Sequence, residues 1–192
     1  MGQRLVVNIS RNHKIISSTY FHWSGYTPTT FEIVSKMIAN IESIHDIKTI
    51  HPLKLSYLAF EGVENDVALD ETEKDAFIDY DKNAPEYILV TRTPNRNDGL
   101  LFVTQEGAAS NAGSGEMTVE INLDNKTVMG DILYISEPEY EPDVMEALEL
   151  PYDPHEELSY EEFQELADFY LSDENVQRMS LLYKGVIYGQ IV

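Results

Sequence analysis

Cysteine is absent from the 192 residues of this chain. Disulfides, thiolate metal sites and cysteine nucleophiles are thereby excluded, and such a chain suits a reducing cytosol. No stretch approaches the roughly 18 consecutive apolar residues of a membrane-spanning helix, and the amino terminus lacks a basic-then-apolar signal pattern. Met1-Gly2 opens like a myristoylation site, but Val6 stands where serine or threonine is required. The expectation is a soluble intracellular protein. The sharpest absence is of one sign of charge. Residues 137–174 contain no lysine or arginine, against fifteen carboxylates.

The rest of the chain sets that run in relief. Residues 1–60 carry six basic and three acidic side chains, a balance of +3, whereas residues 61–192 carry seven and thirty-one, a balance of −24; together they give the net −21. Charge of this size speaks about partners and solubility rather than fold. It disfavours nucleic acid as a ligand and favours a basic protein surface or cations. Hydrophobic residues still make up 43% of the chain, close to the globular average, so a core is retained. At this length one domain, or one domain with a lobe, is expected, burying roughly 70% of its unfolded surface.

Local patterns predict mixed α and β structure. Leu5, Val7 and Ile9 alternate with polar neighbours, Ile15 to Phe21 is β-branched and aromatic, and Arg11-Asn12-His13-Lys14 supplies a turn, so residues 3–22 read as a hairpin. Thr29 and Glu32 have capping-box spacing. Val34, Met37, Ile38, Ile41 and Ile44 follow at helical intervals, which predicts a helix over about 30–45. Leu55 to Phe60, Tyr87 to Thr91 and Leu100 to Thr104 read as short strands, with a turn at Asp98-Gly99. Met117 to Leu123 and Thr127 to Ile135 flank the turn residues Asp124-Asn125-Lys126 and predict a second hairpin. Residues 61–84, with nine carboxylates against Lys74 and Lys82, read as a solvated loop or exposed helix, and residues 107–115 as a loop too polar to pack.

The acidic run has a pattern of its own. Pro138, Pro142, Pro151 and Pro154 break its first half into turns and extended pieces. Ser159 and Glu162 then form a second capping box, with Leu158 and Phe163 placed as a hydrophobic staple. Phe163, Leu166, Ala167 and Tyr170 share one face of a helix over 160–171, while Glu161, Glu165 and Asp168 occupy another. A further helix is expected after Ser172, with Val176, Met179 and Tyr183 inward, and a strand over Val186 to Val192. The predicted class is α+β: a mixed, mainly antiparallel sheet with an N-terminal hairpin, one central helix and C-terminal acidic helices. Residues 1–136 would form the α+β core domain, and 137–192 an acidic helical segment with a terminal strand packed on it.

Chemical motifs do not rise above background. Asp79, Asp81 and Asn83 match the first ligands of a calcium loop, yet Ala84 replaces the required glycine and Val90 the bidentate glutamate. Gly113-Ser114-Gly115 is neither a phosphate loop nor a nucleophile elbow. His13, His22, His45, His51 and His155 show no metal spacing, and His22 beside Trp23 reads as a half-buried strand residue. Adjacent pairs such as Glu156-Glu157 and Glu161-Glu162 point to different sides of a helix. No catalytic residue, cofactor or metal is expected. The basic portion (Arg4, Arg11, Lys14, Lys36, Lys48, Lys54) is too dilute for a nucleic-acid footprint; a mildly positive portion on a negative molecule favours self-association.

Two stretches carry a resemblance. Met1-Gly2-Gln3-Arg4-Leu5-Val6-Val7 with Phe21-His22-Trp23-Ser24-Gly25-Tyr26-Thr27 resembles the opening of small uncharacterised proteins of phages and prophages of Gram-positive bacteria. Arg96-Asn97-Asp98-Gly99-Leu100 through Gln105-Glu106-Gly107, then Val119-Glu120-Ile121-Asn122-Leu123, is similar to a later hairpin region of the same group. The resemblance covers about a third of the chain and supplies no catalytic residues. It implies a phage gene product acting in the cytoplasm of a bacterial host cell. With the charge, it suggests by analogy with acidic DNA-mimicking antirestriction proteins a non-enzymatic inhibitor of a host defence protein with a basic surface. The expected partner-binding residues are Glu137, Glu139, Glu141, Asp143, Glu146, Glu149, Asp153, Glu156, Glu157, Glu161, Glu162, Glu165, Asp168, Asp173 and Glu174. The rival readings are a hydrolase using a divalent cation held by Asp and Glu, and a phage structural or assembly protein.

Overall fold

The computed structural model describes residues 5–21, 27–61, 63, 89–91, 100–102, 117–130 and 156–176. The first hairpin pairs β1 (Leu5–Arg11) with β2 (Lys14–Phe21) in antiparallel register. Asn12 and His13 turn the chain with φ of 54° and 59°, both in the left-handed region that a tight two-residue hairpin turn demands. α1 (Thr27–Glu42) and α2 (Pro52–Phe60) follow. Then come β3 (Leu89–Thr91), β4 (Leu100–Phe102), β5 (Met117–Asn122), β6 (Thr127–Gly130), β7 (Leu158–Ser159) and α3 (Tyr160–Tyr170). The strands form one sheet in the order β3-β4-β2-β1-β5-β6-β7. Every pairing is antiparallel except β1 with β5, so the chain is an α+β fold with a mixed, mainly antiparallel sheet.

Alternation along the strands separates two faces. Leu5, Val7 and Ile9 of β1, Phe21 of β2, Met117, Val119 and Ile121 of β5 and Val128 of β6 join one buried cluster with the helices. α1 contributes Phe31, Val34, Met37, Ile38 and Ile41; α2 contributes Leu55, Ala59 and Phe60. Polar bonds pin the layers. Ser56 donates to Ser17 Oγ across the sheet–helix boundary at 2.6 Å. Arg11 reaches from the end of β1 to the carbonyls of Ile47 and Ile50 (3.1 and 2.9 Å), closing the α1–α2 connection. Asn40 donates to the carbonyls of Ala59 and Glu61, tying the two helices together. Gly130 ends β6 with φ of 143°, and a Cβ there would lie 2.1 Å from the Thr118 carbonyl oxygen. Only glycine fits that approach.

Two sequence expectations are corrected. Leu55 to Phe60 is helical, not a strand. Short apolar runs do not distinguish the two, but Leu55, Ser56, Ala59 and Phe60 are buried at helical spacing, and Pro52 opens the helix in the first turn, where a missing amide costs nothing. The helix predicted over 30–45 begins at Thr27 and ends at Glu42. Thr29 therefore lies inside α1, no hydrogen bond joins it to Glu32, and the first capping box does not exist. Both hairpins stand, although β6 is described only to Gly130. The expectations for 61–84 beyond Val63, for Asp98-Gly99, 107–115, the prolines of 138–154, Met179, Tyr183, the terminal strand and His22-Trp23 lie outside the described residues. After Ser172, residues 173–176 form one helical turn, with Val176 half-buried.

Candidate protein-binding face

The site is built from the edge of the sheet outward. Leu158 and Ser159 pair with Val128 and Thr127 as β7, so the chain arrives at α3 in extended conformation. Ser159 has φ −62° and ψ 161°, and its hydroxyl accepts the amide of Glu162 at 3.3 Å. Glu162 reaches back to accept from the Ser159 hydroxyl (2.7 Å) and amide (2.8 Å). The capping box read from the sequence is complete. The hydroxyl bond, then the amide bond, hold the Glu162 carboxyl below its ordinary value.

α3 is fixed on its inner side by aromatic rings. Phe163, Ala167 and Tyr170 are buried, as is Tyr160 at its start. Phe31 of α1 lies between two of them, 5.3 Å from the Phe163 ring and stacked at 4.5 Å on Tyr170. Gln164 donates to the Ser35 carbonyl at 3.2 Å. The Tyr160 amide bonds the Lys126 carbonyl and its hydroxyl the Asn122 carbonyl, at 3.1 and 3.3 Å, so the turn after β5 also holds the helix. Burial, reinforced by Glu42, raises the Tyr160 phenol well above the ordinary tyrosine value.

The outer side carries the charge. Glu161, Glu165 and Asp168 are exposed at helical intervals of four and three, so they form one ridge along α3. Glu156, Glu157, Asp173 and Glu174 extend the exposed carboxylates beyond both ends of the helix. Two of the eight carboxylates within residues 156–176 serve the fold itself: Glu162 in the cap, and Glu157 as acceptor from the Thr127 hydroxyl. The others, Glu156, Glu161, Glu165, Asp168, Asp173 and Glu174, pair with no cation among the described residues, where Lys126 lies 3.8 Å from Glu42 instead. Glu137, Glu139, Glu141, Asp143, Glu146, Glu149 and Asp153 lie outside the described residues.

One neighbour of the ridge was not singled out from the sequence. Phe169 is 37% exposed, meets Tyr170 edge-on at 5.4 Å, and lies one turn after Glu165. Its position off the Phe163–Ala167–Tyr170 stripe is the signal, since an aromatic outside the buried face of an amphipathic helix has no core to fill. An exposed ring beside charge is the composition of an interface anchor.

Elsewhere, a groove of about 600 Å³ lies between the α1–α2 connection and α2, with His45, His51, Lys54, Asp46 and Glu61 around it and Ile44 and Leu58 in its wall. Among the described residues no three histidine, aspartate or glutamate side chains converge as metal ligands, and no helix is long and apolar enough to cross a membrane. No family model, curated protein or solved structure matches the chain.

Proposed function

We propose that this chain is a phage-encoded inhibitor that binds a basic, nucleic-acid-binding surface of a host defence protein in the bacterial cytoplasm, through its folded acidic face. One observation carries the reading. The carboxylates of Glu161, Glu165 and Asp168 stand without cation partners among the described residues, on a helix that is capped at Ser159 and stacked through Phe31, Phe163 and Tyr170. Nucleic-acid enzymes present lysine and arginine grooves to phosphates about 3.4 Å apart along a strand. Helical carboxylates four residues apart are spaced about 6 Å along the axis, so such a ridge offers a regular line of negative charge at roughly half that axial density. A rigid ridge loses less entropy on binding than a charged tail. The resemblance of the opening residues to phage proteins supports the setting.

The test is affinity capture of host proteins on the tagged chain, followed by binding measurements on what elutes. Reversing Glu161, Glu165 and Asp168 to lysine should weaken the complex at least about a hundredfold, as expected when close interfacial charge pairs are inverted. Thermal stability should change little, because exposed substitutions stay within about 0.5 kcal/mol each. The wild-type complex should also weaken as salt rises, since exposed charges are screened within about 8–10 Å at physiological ionic strength. A complex indifferent to the triple reversal, or equally tight at about 1 M salt, overturns charge mimicry.

A further inference from the structure

The sheet face turned away from the helices is polar at its centre. β1 places Val6, Asn8 and Ser10 there, β2 places Ser18 beside Asn8, and β5 places Thr118, Glu120 and Asn122, opposite in direction to the core residues that alternate with them. Asn8 and Glu120 are register partners in the one parallel pairing. Neighbouring strands lie about 4.8 Å apart, so these two side chains stand side by side. Asn8 is only 3% exposed, yet its Oδ1 accepts no hydrogen bond. Glu120 is half-buried and accepts one bond, from the Ser10 hydroxyl at 2.5 Å. No lysine, arginine or histidine pairs with it among the described residues.

Buried carbonyl oxygens in folded proteins are almost always satisfied, and a half-buried carboxylate ordinarily has a cation beside it. Here an orphaned acceptor adjoins a carboxylate that has no cation beside it among the described residues, and the polar groups next to Glu120 are already engaged. Ser10 already donates to Glu120, and the Asn122 oxygen accepts the amides of Asp124 and Asn125 at 2.9 and 3.2 Å. What the pair lacks is a positive group with several donors spread over adjacent positions. An ammonium radiates its donors from a single atom, whereas a guanidinium carries five in a planar fork able to reach two acceptors on neighbouring strands.

We propose that Asn8 and Glu120 form a binding site for a guanidinium group, which donates to the Glu120 carboxylate and to Asn8 Oδ1 together. The half-exposed Glu120 side is the way in, and Asn8 is the floor. The site is carried by β1 and β5 and is independent of the acidic ridge on α3. The guanidinium is either that of a free small molecule or an arginine side chain of a partner.

Two-dimensional NMR of the full chain tests it, with ethylguanidinium chloride titrated against ethylammonium chloride at constant ionic strength. Ethylguanidinium should give saturating shifts at Asn8, Ser10 and residues 118–122, including the Asn8 side-chain amide, while ethylammonium should not saturate. Glu120→Gln should raise the midpoint about tenfold or more, the loss of one charge-assisted pair, whereas Glu32→Gln at an exposed position of α1 should leave it unchanged. Asn8→Leu removes the orphaned oxygen, so it should raise the melting temperature and abolish saturation, which keeps the test open if Glu120→Gln does not fold. Repeating the titration with the capped tripeptide acetyl-Gly-Arg-Gly-amide separates the sources: saturation by both points to an arginine of a partner, saturation by ethylguanidinium alone to a free small molecule. Linear shifts spread over many carboxylates, equal responses to the two cations, or an unchanged midpoint in Glu120→Gln or Asn8→Leu overturn the proposal.

Discussion

α1 and α3 lie side by side, share the Phe31–Phe163–Tyr170 stack and each carry a Ser/Thr-x-x-Glu sequence, yet only α3 uses it as a cap. The difference lies upstream. Ser159 belongs to β7, and its pairing with Thr127 holds the backbone extended at the residue where the helix must begin. No such pairing holds Thr29. Pro28 is at home in a first helical turn, so α1 runs back to Thr27 and absorbs Thr29 and Glu32 into its body. A capping motif proposes a boundary, and tertiary structure decides whether it becomes one.

The largest expected effect breaks the stack the two helices share. Phe163 is fully buried against Phe31, so Phe163→Ala should destabilise the fold by about 3–5 kcal/mol, the range for deleting a buried aromatic ring. Chemical denaturation measures it. A loss under about 1 kcal/mol would mean that α3 is not docked through this ring, and the acidic ridge would lose its rigid support.

That stack also marks how far the sequence could be read. The period-two pattern of Leu5, Val7 and Ile9, the turn at Asn12-His13 and the capping box of Ser159 with Glu162 were legible because each is a local pattern with a local physical cause. The helical state of Leu55 to Phe60 was not, because an apolar run of six fits a buried strand as well as a helix; packing of Phe60 on Phe21 at 5.6 Å decides it. The ridge Glu161–Glu165–Asp168 followed from helical geometry once the cap was recognised. Phe169 beside it, and the meeting of Asn8 with Glu120, did not. The latter pairing joins residues 112 positions apart through a parallel register, and no short-range signal encodes it.

The two motifs themselves supply the next contrast. Ser159→Ala removes both the acceptor for the Glu162 amide and a donor to its carboxylate, so it should cost about 1 kcal/mol, the usual worth of an N-cap. Thr29→Ala removes a half-buried side chain from a helix interior where alanine is the better helix former, and should change stability by less than about 0.5 kcal/mol in either direction. Melting curves of the two variants decide it. Equal losses would show that Thr29 caps α1 after all.

The smallest effect is a dependence on acidity confined to the cap. Glu162 bonds Ser159 as a carboxylate, so its folded-state pKa lies below the ordinary value of 4.5. The ionised form is then the one that favours folding. Its contribution is fully present above 4.5 and is lost as the pH falls through the depressed folded-state value. Glu162→Gln, which keeps an acceptor but no charge, should therefore melt below wild type at neutral pH, and the gap should close on acidification beneath 4.5. In a Ser159→Ala background the same substitution should show a smaller gap, because the hydroxyl bond is the larger cause of the shift. A gap that persists at low pH would not come from the charge of Glu162, and one that ignores the loss of Ser159 would place its favourable charge effect outside the hydroxyl bond, in the dipole at the start of α3.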